Sequence, residues 1–168
     1  MNLEKGTQNK LSQADAKRVK PTLFIGLGGT GGEIIMRLRR RIVSEFWGKN
    51  RVRLDTVSEF PAARFLHIDL DQSEMSGSKE AGDADTLRAA VKLLPSERVV
   101  ESIDFAAYQK GGRLQNFPQI RAFYPEDQLR DLQIDTSTGA GQIRAISRLY
   151  FYDKVGQIRS AIEGHLRE

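Results

Sequence analysis

Residues 21–36 read Pro-Thr-Leu-Phe-Ile-Gly-Leu-Gly-Gly-Thr-Gly-Gly-Glu-Ile-Ile-Met, a buried-strand pattern that passes through glycines into a helix pattern. Leu23, Phe24 and Ile25 suit a strand inside a parallel sheet. We expect the helix to begin near residues 31–33, where its unpaired N–H groups and positive dipole end would bind an anion such as phosphate. The glycines that let the backbone turn tightly and approach such a ligand are Gly26, Gly28, Gly29, Gly31 and Gly32.

The spacing of the glycines matches a known phosphate-binding motif. Gly26, Gly28 and Gly31 satisfy G-x-G-x-x-G, which is weak alone because glycine turns also simply join strands to helices. The strand before it and the helix after it favour phosphate binding. A P-loop is excluded because no Gly-Lys-Ser or Gly-Lys-Thr follows at the required spacing. Backbone N–H groups and the hydroxyl of Thr30 would therefore hold the phosphates.

The composition predicts one soluble globular domain. The 168 residues are 29% charged and 39% hydrophobic, and no apolar run approaches the length of a membrane span. Residues 1–20 are basic and lack the apolar core of a signal peptide, so we expect a disordered N-terminal tail. The absence of cysteine excludes disulfides, thiolate metal sites and cysteine nucleophiles, and it fits a cytoplasmic protein.

Much of the net charge of +4 lies on the first helix, in the arginines at 37, 39, 40 and 41. We expect these arginines on the solvated face, because apolar residues at 3–4 spacing would pack on the sheet. An acidic partner or a nucleic-acid backbone are the alternatives. No aromatic-interleaved basic motif supports nucleic acid. The apolar stripe consists of Ile34, Ile35, Leu38, Ile42 and Phe46.

Further along, residues 63–68 predict a second strand, which ends in Asp69-Leu70-Asp71-Gln72. A helix is expected over 85–94, stopped by Pro95, while 99–108 fits a helix or a strand. A glycine turn at 137–142 opens a long closing helix from about residue 143 to 166, with Val155 among its core candidates. We expect His67 to be packed in its strand and His165 to interact with the helix C-terminus.

We expect three special turns at strand ends, at 26–32, 69–72 and 138–142. In an open α/β sheet, ligands bind outside the carboxyl ends of the strands. These turns can therefore converge on one nucleotide.

The three turns resemble the N-terminal part of the tubulin and bacterial cell-division tubulin-homologue superfamily, and most closely its large bacterial tubulin-like proteins. Gly26-Leu-Gly-Gly-Thr-Gly-Gly is similar to the family's first phosphate loop, and Ile68-Asp-Leu-Asp-Gln is similar to its Asn-Thr-Asp loop. Gly139-Ala-Gly is similar to its third loop. The resemblance covers roughly residues 21–168. It implies an α/β, Rossmann-like three-layer sandwich with a mostly parallel sheet.

The resemblance also implies the ligand: a guanine nucleotide, GTP or GDP, with Mg²⁺. Asp71 would organise the phosphates or the water shell of the Mg²⁺, and a homo-oligomer or filament would be expected of the full-length protein. The nucleotide-binding residues would be Gly26, Gly28, Gly29, Thr30, Gly31 and Gly32 of the first loop, Asp69, Asp71 and Gln72 of the second, and Gly139, Ala140, Gly141 and Gln142 of the third.

Three departures from the family pattern shape these expectations. Asp69 replaces the usual Asn, and its added negative charge makes a metal or water bridge more necessary. The second and third loops are further apart than in the cell-division homologues, and the family's Gly-Gly-Thr-Gly-Ser-Gly-like fourth loop has no counterpart. We therefore expect residues 21–168 to be the N-terminal portion of a GTPase domain. Such a portion should have an exposed sheet edge, weak or absent nucleotide affinity, and no catalytic residue of its own.

Two other functions stay open. A Rossmann domain for NAD or FAD needs an acidic residue about twenty positions after the glycines. Glu45 lies near that spacing but within the predicted helix, and Asp69 comes roughly forty residues after Gly26. A non-enzymatic adaptor would use the arginine-rich helix against an acidic partner, with the glycines purely architectural.

Overall fold

A computed structural model of the chain describes residues 19–71, 89–110, 118–122, 139–140 and 143–167. In chain order the strands and α-helices of the described residues are β1 (Thr22–Leu27), α1 (Gly28–Ser44), β2 (Phe46–Trp47), β3 (Val52–Arg53), β4 (Ala63–Asp69), β5 (Arg98–Val100), α2 (Phe105–Lys110), α3 (Pro118–Arg121), α4 (Arg144–Asp153) and α5 (Val155–Arg167). Three of these strands form a parallel sheet in the order β1–β4–β5, while β2 and β3 form an antiparallel hairpin.

Helices cover both faces of this sheet. Alternate side chains of β4 point to opposite faces. Ala63 and Phe65 pack in the cluster that contains the buried residues of α1. Leu66 and Ile68 pack in a second cluster with the buried residues of α4 and α5. The expected three-layer α/β sandwich with a parallel sheet is therefore confirmed.

The connection between α1 and β4 consists partly of regular secondary structure. It contains the β2–β3 hairpin, and the ring of Trp47 packs against Phe60 with centroids 4.5 Å apart. The Trp47 indole N–H donates to the carbonyl of Ile42 over 2.7 Å, so Trp47 packs the hairpin against the end of α1. Glu45 follows the last residue of α1 instead of lying within the helix.

Arg39 contradicts the expectation that the arginines of α1 are solvated. Its side chain is 3% exposed, with Nε donating to the carbonyl of Val91 over 2.7 Å and Nη2 to that of Lys92 over 2.8 Å. Nη1 lies 2.8 Å from Oε1 of Glu97, and the guanidinium sits 4.9 Å from the centre of the Phe65 ring. Position 39 shares a helix face with buried core positions, and these acceptors make burial of the charge tolerable.

The solvated side of α1 carries Arg37 and Arg41, as expected. Each lies four residues from an acidic partner, Glu33 and Glu45 respectively, whereas Arg40 is half-buried. Ile34 is 62% exposed and Phe46, which lies beyond the helix in β2, is 54% exposed, so their predicted places in the packed stripe are wrong. The buried stripe passes through Ile35, Arg39, Ile42 and Val43.

The predicted single closing helix is two helices. α4 ends at Asp153 and α5 begins at Val155, whose side chain is 60% exposed and not part of the core. Lys154 lies at the junction, where its Nζ is 2.8 Å from Oε2 of Glu101. The break therefore places a lysine where it can form an ion pair with the segment after β5.

The ambiguous stretch 99–108 contains both candidate structures, since β5 ends at Val100 and α2 begins at Phe105. The helix predicted over 85–94 is helical at residues 89–91 and has ended before Pro95, which opens a short 3₁₀ turn, while 85–88 lie outside the described residues. His165 lies in the last turn of α5, as expected, and its Nε2 lies 2.8 Å from the carbonyl oxygen of Phe65, a contact that joins α5 to β4. Within the described parts of the chain, no helix combines the length and the apolar character needed to cross a bilayer.

Tyr150 makes stability sensitive to alkaline pH. Burial raises the pKa of this phenol, and the charges of Asp69 and Glu101 raise it further. The neutral hydroxyl donates to the carbonyl of Val99 over 2.9 Å. A raised folded-state pKa means that the stabilisation is complete below the tyrosine pKa of the unfolded chain, about 10, and is lost as pH rises above it.

We expect Tyr150→Phe to cost about 1 kcal/mol of unfolding free energy at neutral pH and to flatten the decline above pH 10 or so. Urea denaturation across this pH range measures both effects. Tyr152→Phe is the matched control, because the contact of that hydroxyl with Gln119 is exposed and long, at 3.4 Å. Equal alkaline slopes for wild type and Tyr150→Phe would contradict the assignment.

Candidate functional site

The first glycine loop is shorter than the sequence suggests. α1 begins at Gly28, directly after β1 and ahead of the expected start at residues 31–33. Gly28 has a φ of 67°, a left-handed conformation that favours glycine and allows this abrupt turn. Leu27 at the cap position supplies no side-chain hydrogen bond, and no acidic residue lies in the first turn. The N-terminal N–H groups of α1 therefore suit an anion.

Two glycines of the loop bring strand and helix into direct backbone contact. A Cβ atom at Gly26 would lie 2.5 Å from the carbonyl oxygen of Gly31. A Cβ atom at Gly31 would lie 2.7 Å from the carbonyl carbon of Gly26. These glycines, which the sequence places among the phosphate-binding residues, thus fix α1 against β1. Thr30 is exposed in the first turn of the helix.

His67 connects the first loop to β4. Its Nε2 lies 3.1 Å from the carbonyl oxygen of Gly28. The imidazole occupies the space beside Gly32, where a Cβ atom would be 2.7 Å from Nε2. The same nitrogen is 3.7 Å from Oδ2 of Asp69. The expectation of a packed, hydrogen-bonded histidine is confirmed, and its partner is the glycine loop itself.

Asp69 is the last residue of β4, and its carboxylate contacts the backbone of the second loop. Oδ1 accepts hydrogen bonds from the backbone N–H groups of Leu70 at 2.7 Å and Asp71 at 3.2 Å. The residue is 7% exposed, yet Oδ2 has no hydrogen-bond partner among the described residues. An unpartnered buried carboxylate oxygen is costly, so it is suited to a ligand or cation that satisfies it.

The third loop lies beside the second. Gly139 has a φ of 101°, and a Cβ atom there would lie 3.9 Å from the Cβ of Asp71. Ala140 packs against the core, and its carbonyl oxygen accepts from Ile143 N–H at 3.0 Å, just before α4. The structure therefore brings Asp71 and the third loop together, as the sequence predicts for turns at one end of the sheet.

Not every predicted site residue can be placed. Gln72, Gly141 and Gln142 lie outside the described residues. Within the described ranges, no group of three or more His, Cys, Asp or Glu side chains could hold a metal by itself. Any ion at Asp69 and Asp71 would need further oxygen ligands from water or from a bound phosphate.

From the sequence alone His67 has no assigned role in the site, although the alternation of residues along the strand already indicates one. Residues alternate across a strand, so His67 and Asp69 share the face that β4 turns towards α1. The contact with Gly28 depends on how closely α1 approaches that face, which the sequence pattern does not encode.

A comparison with protein families decides what this arrangement is related to. The family model described as "Tubulin like" matches residues 23–168, nearly the whole chain. The chain belongs to the tubulin-like family. The match to the tubulin-like model begins at the second residue of β1 and includes both glycine turns and the Asp69 loop. No curated protein and no solved structure matched. The tubulin-like assignment confirms the resemblance carried by the three loops, and it agrees with the parallel three-stranded sheet.

Proposed function

We propose that this tubulin-like chain binds GTP or GDP, with the nucleotide phosphates against the N-terminus of α1. The observation that carries the proposal is the convergence of the three loops. Gly28 of the first loop contacts His67 in β4, and Asp71 of the second loop lies beside Gly139 of the third. The preference for guanine rests on membership of the family.

Each loop has a distinct part in this proposal. The N–H groups of the first turn of α1, together with the Thr30 hydroxyl, would bind phosphate oxygens. Backbone groups at Gly139 and Ala140 would approach the terminal phosphate from the third loop. A positive φ at Gly139 orients that backbone without a side chain in the way.

The acidic second loop fits Mg²⁺ when phosphates are present. The carboxylate of Asp69 has one oxygen without a hydrogen-bond partner among the described residues, and Asp71 lies two residues further on. Mg²⁺ commonly takes one or two protein carboxylates plus phosphate and water oxygens. A bound ion would neutralise phosphate charge next to these carboxylates, with Asp71 acting through a water molecule.

Self-association is the second element of the proposal. In the described sheet β1 pairs on one side only, with β4. Ile25 and Leu27 on this strand are 43% and 54% exposed. Unpaired strand edges with apolar side chains pair readily with other chains. Hydrolysis would require water attack on the terminal phosphate, aided by positioning and charge stabilisation, and we assign it to an assembled form.

An NMR titration of the 168-residue chain tests nucleotide binding even when affinity is weak. We expect GTP with Mg²⁺ to give saturable amide shifts at Gly28, Gly29, Thr30 and Gly139, and NADH to give none. Thr30→Glu should weaken GTP binding at least about tenfold, because its carboxylate would compete with phosphate at the helix terminus. Its melting temperature should not fall, since acidic groups stabilise that end of a helix.

Ser160→Glu is the matched control, because it adds the same charge to an exposed position on α5. It should leave the titration unchanged. Shifts that are equal for GTP and inorganic phosphate would reduce the proposal to a general anion site. No saturable shift up to millimolar GTP would overturn it.

A dinucleotide is the second candidate, and one observation favours it. Asp69 ends the strand next to β1, where a Rossmann ribose-binding carboxylate would stand, and the β2–β3 hairpin helps account for the long spacing. NADH displacing GTP in the titration would support it. The adaptor function loses support because Arg37 and Arg41 already have acidic neighbours on their own helix.

A further inference from the structure

We propose that His67 is a positioning residue that orients the first loop for phosphate binding. The inference rests on the proposed nucleotide function and concerns a residue to which the loop motifs assign no role. Nε2 of His67 lies 3.1 Å from the carbonyl oxygen of Gly28. A carbonyl can only accept, so Nε2 carries the hydrogen and donates it to the first residue of α1.

This hydrogen bond fixes the direction of one peptide group. In a trans peptide the C=O and the following N–H point in opposite directions. When His67 in β4 holds the Gly28 carbonyl, the N–H of Gly29 must point away from the imidazole. Gly28 is the first residue of α1, so its carbonyl also accepts within the helix, and the bond from His67 is a second restraint on the same peptide. Two successive glycines, with a φ of 67° at Gly28, restrict the backbone little by themselves.

The packing around the imidazole of His67 shows that neighbouring atoms fix the position of the ring. Gly32 leaves the space that the imidazole fills, since a Cβ atom there would be 2.7 Å from Nε2 and 2.9 Å from Cε1. The His67 side chain is 12% exposed, so surrounding atoms hold the ring in place. The contact with Gly28 is therefore a restrained hydrogen bond between β4 and α1.

His67 also determines how Asp69 meets a ligand. Oδ2 of Asp69 lies 3.7 Å from the same Nε2, further away than the Gly28 carbonyl. The single hydrogen on Nε2 goes to the closer acceptor, which leaves Oδ2 without a hydrogen bond among the described residues. The imidazole of His67 thus orients the N–H of Gly29 in the first loop. It also leaves Oδ2 of Asp69, at the second loop, available to a ligand.

Paired substitutions separate this role from simple packing. Gln at position 67 can place a side-chain N–H near Nε2, whereas Met fills similar space and cannot donate. We expect His67→Met to weaken binding of GTP with Mg²⁺ about tenfold and His67→Gln to stay within about threefold of wild type. Melting temperatures of the two variants should agree within a few degrees.

A ligand-free measurement gives an independent readout. The amide resonance of Gly29 should move in His67→Met and in Gly32→Ala, whose methyl group would displace the ring. It should move much less in His67→Gln. His165→Met is the control, because that imidazole contacts Phe65 on β4; it should lower the melting temperature and leave GTP affinity unchanged.

The outcomes distinguish the two proposals. If the wild type binds GTP and His67→Met binds equally well, the positioning role is overturned and nucleotide binding stands. If Gln and Met weaken binding equally while both remain folded, the hydrogen bond is not the cause, and the inference fails. A wild-type chain that binds no nucleotide overturns both.

Discussion

Gly31→Ala should lower the free energy of unfolding by about 3 kcal/mol, at the upper end of the cost of overpacking. The new methyl group would lie 2.7 Å from the carbonyl carbon and 2.9 Å from the Cα of Gly26, both of which are backbone atoms. No side-chain rotation can relieve such a contact, so β1 and α1 must separate. Separation would remove apolar contacts between the helix and the sheet, such as those around Ile35 and Phe65.

Urea denaturation of Gly31→Ala beside Gly164→Ala provides the measurement. Gly164 lies in α5 with nothing within 4 Å of an added Cβ atom. Alanine there should be neutral or stabilise by up to about 1 kcal/mol, because it improves helix propensity without a clash. If both variants had the same unfolding free energy, β1 and α1 could not be in the contact described.

Arg39→Met should cost about 3 kcal/mol or more, since it breaks a buried ion pair from one side. The change removes donors to the Val91 and Lys92 carbonyls and leaves the carboxylate of Glu97 without its cation. Arg39→Lys should recover little of the loss, because an ammonium group cannot reach these acceptors with the geometry of the guanidinium fork.

Arg37→Met is the matched control for the buried arginine. It removes an arginine from the exposed side of the same helix, where the partner Glu33 is 3.8 Å away and both side chains are 72% exposed. Exposed pairs of this kind contribute about 0.5 kcal/mol or less. A loss at Arg37 as large as that at Arg39 would contradict the difference in burial. Thermal or urea unfolding of the three variants decides the matter.

The order of strand, glycine turn and helix could be predicted because each signal is local. Leu23, Phe24 and Ile25 favour a strand by themselves, and the glycines after them predict that the strand ends there. The sequence does not reveal that the helix already begins at Gly28. The approach of Gly139 to Asp71 could also be predicted, because ligand-binding turns of an open α/β sheet collect outside the carboxyl ends of its strands.

The misplaced residues have partners that are distant in the chain. Arg39 is buried because Val91, Lys92 and Glu97 receive its hydrogen bonds, and those partners lie 52 to 58 residues away. His67 reaches Gly28 across 39 residues. The break at Lys154 likewise coincides with a pairing to Glu101. Helical periodicity contains no information about such partners, so it assigns Arg39 to solvent and joins α4 to α5.

The contact between Gly26 and Gly31 has a mechanical consequence. With backbone touching backbone, no deformable side chain lies between β1 and the start of α1, so this end of the helix cannot slide or tilt independently of the sheet. The first loop therefore keeps one position relative to the sheet. Any difference between a diphosphate and a triphosphate state would have to be expressed by movement in another part of the molecule.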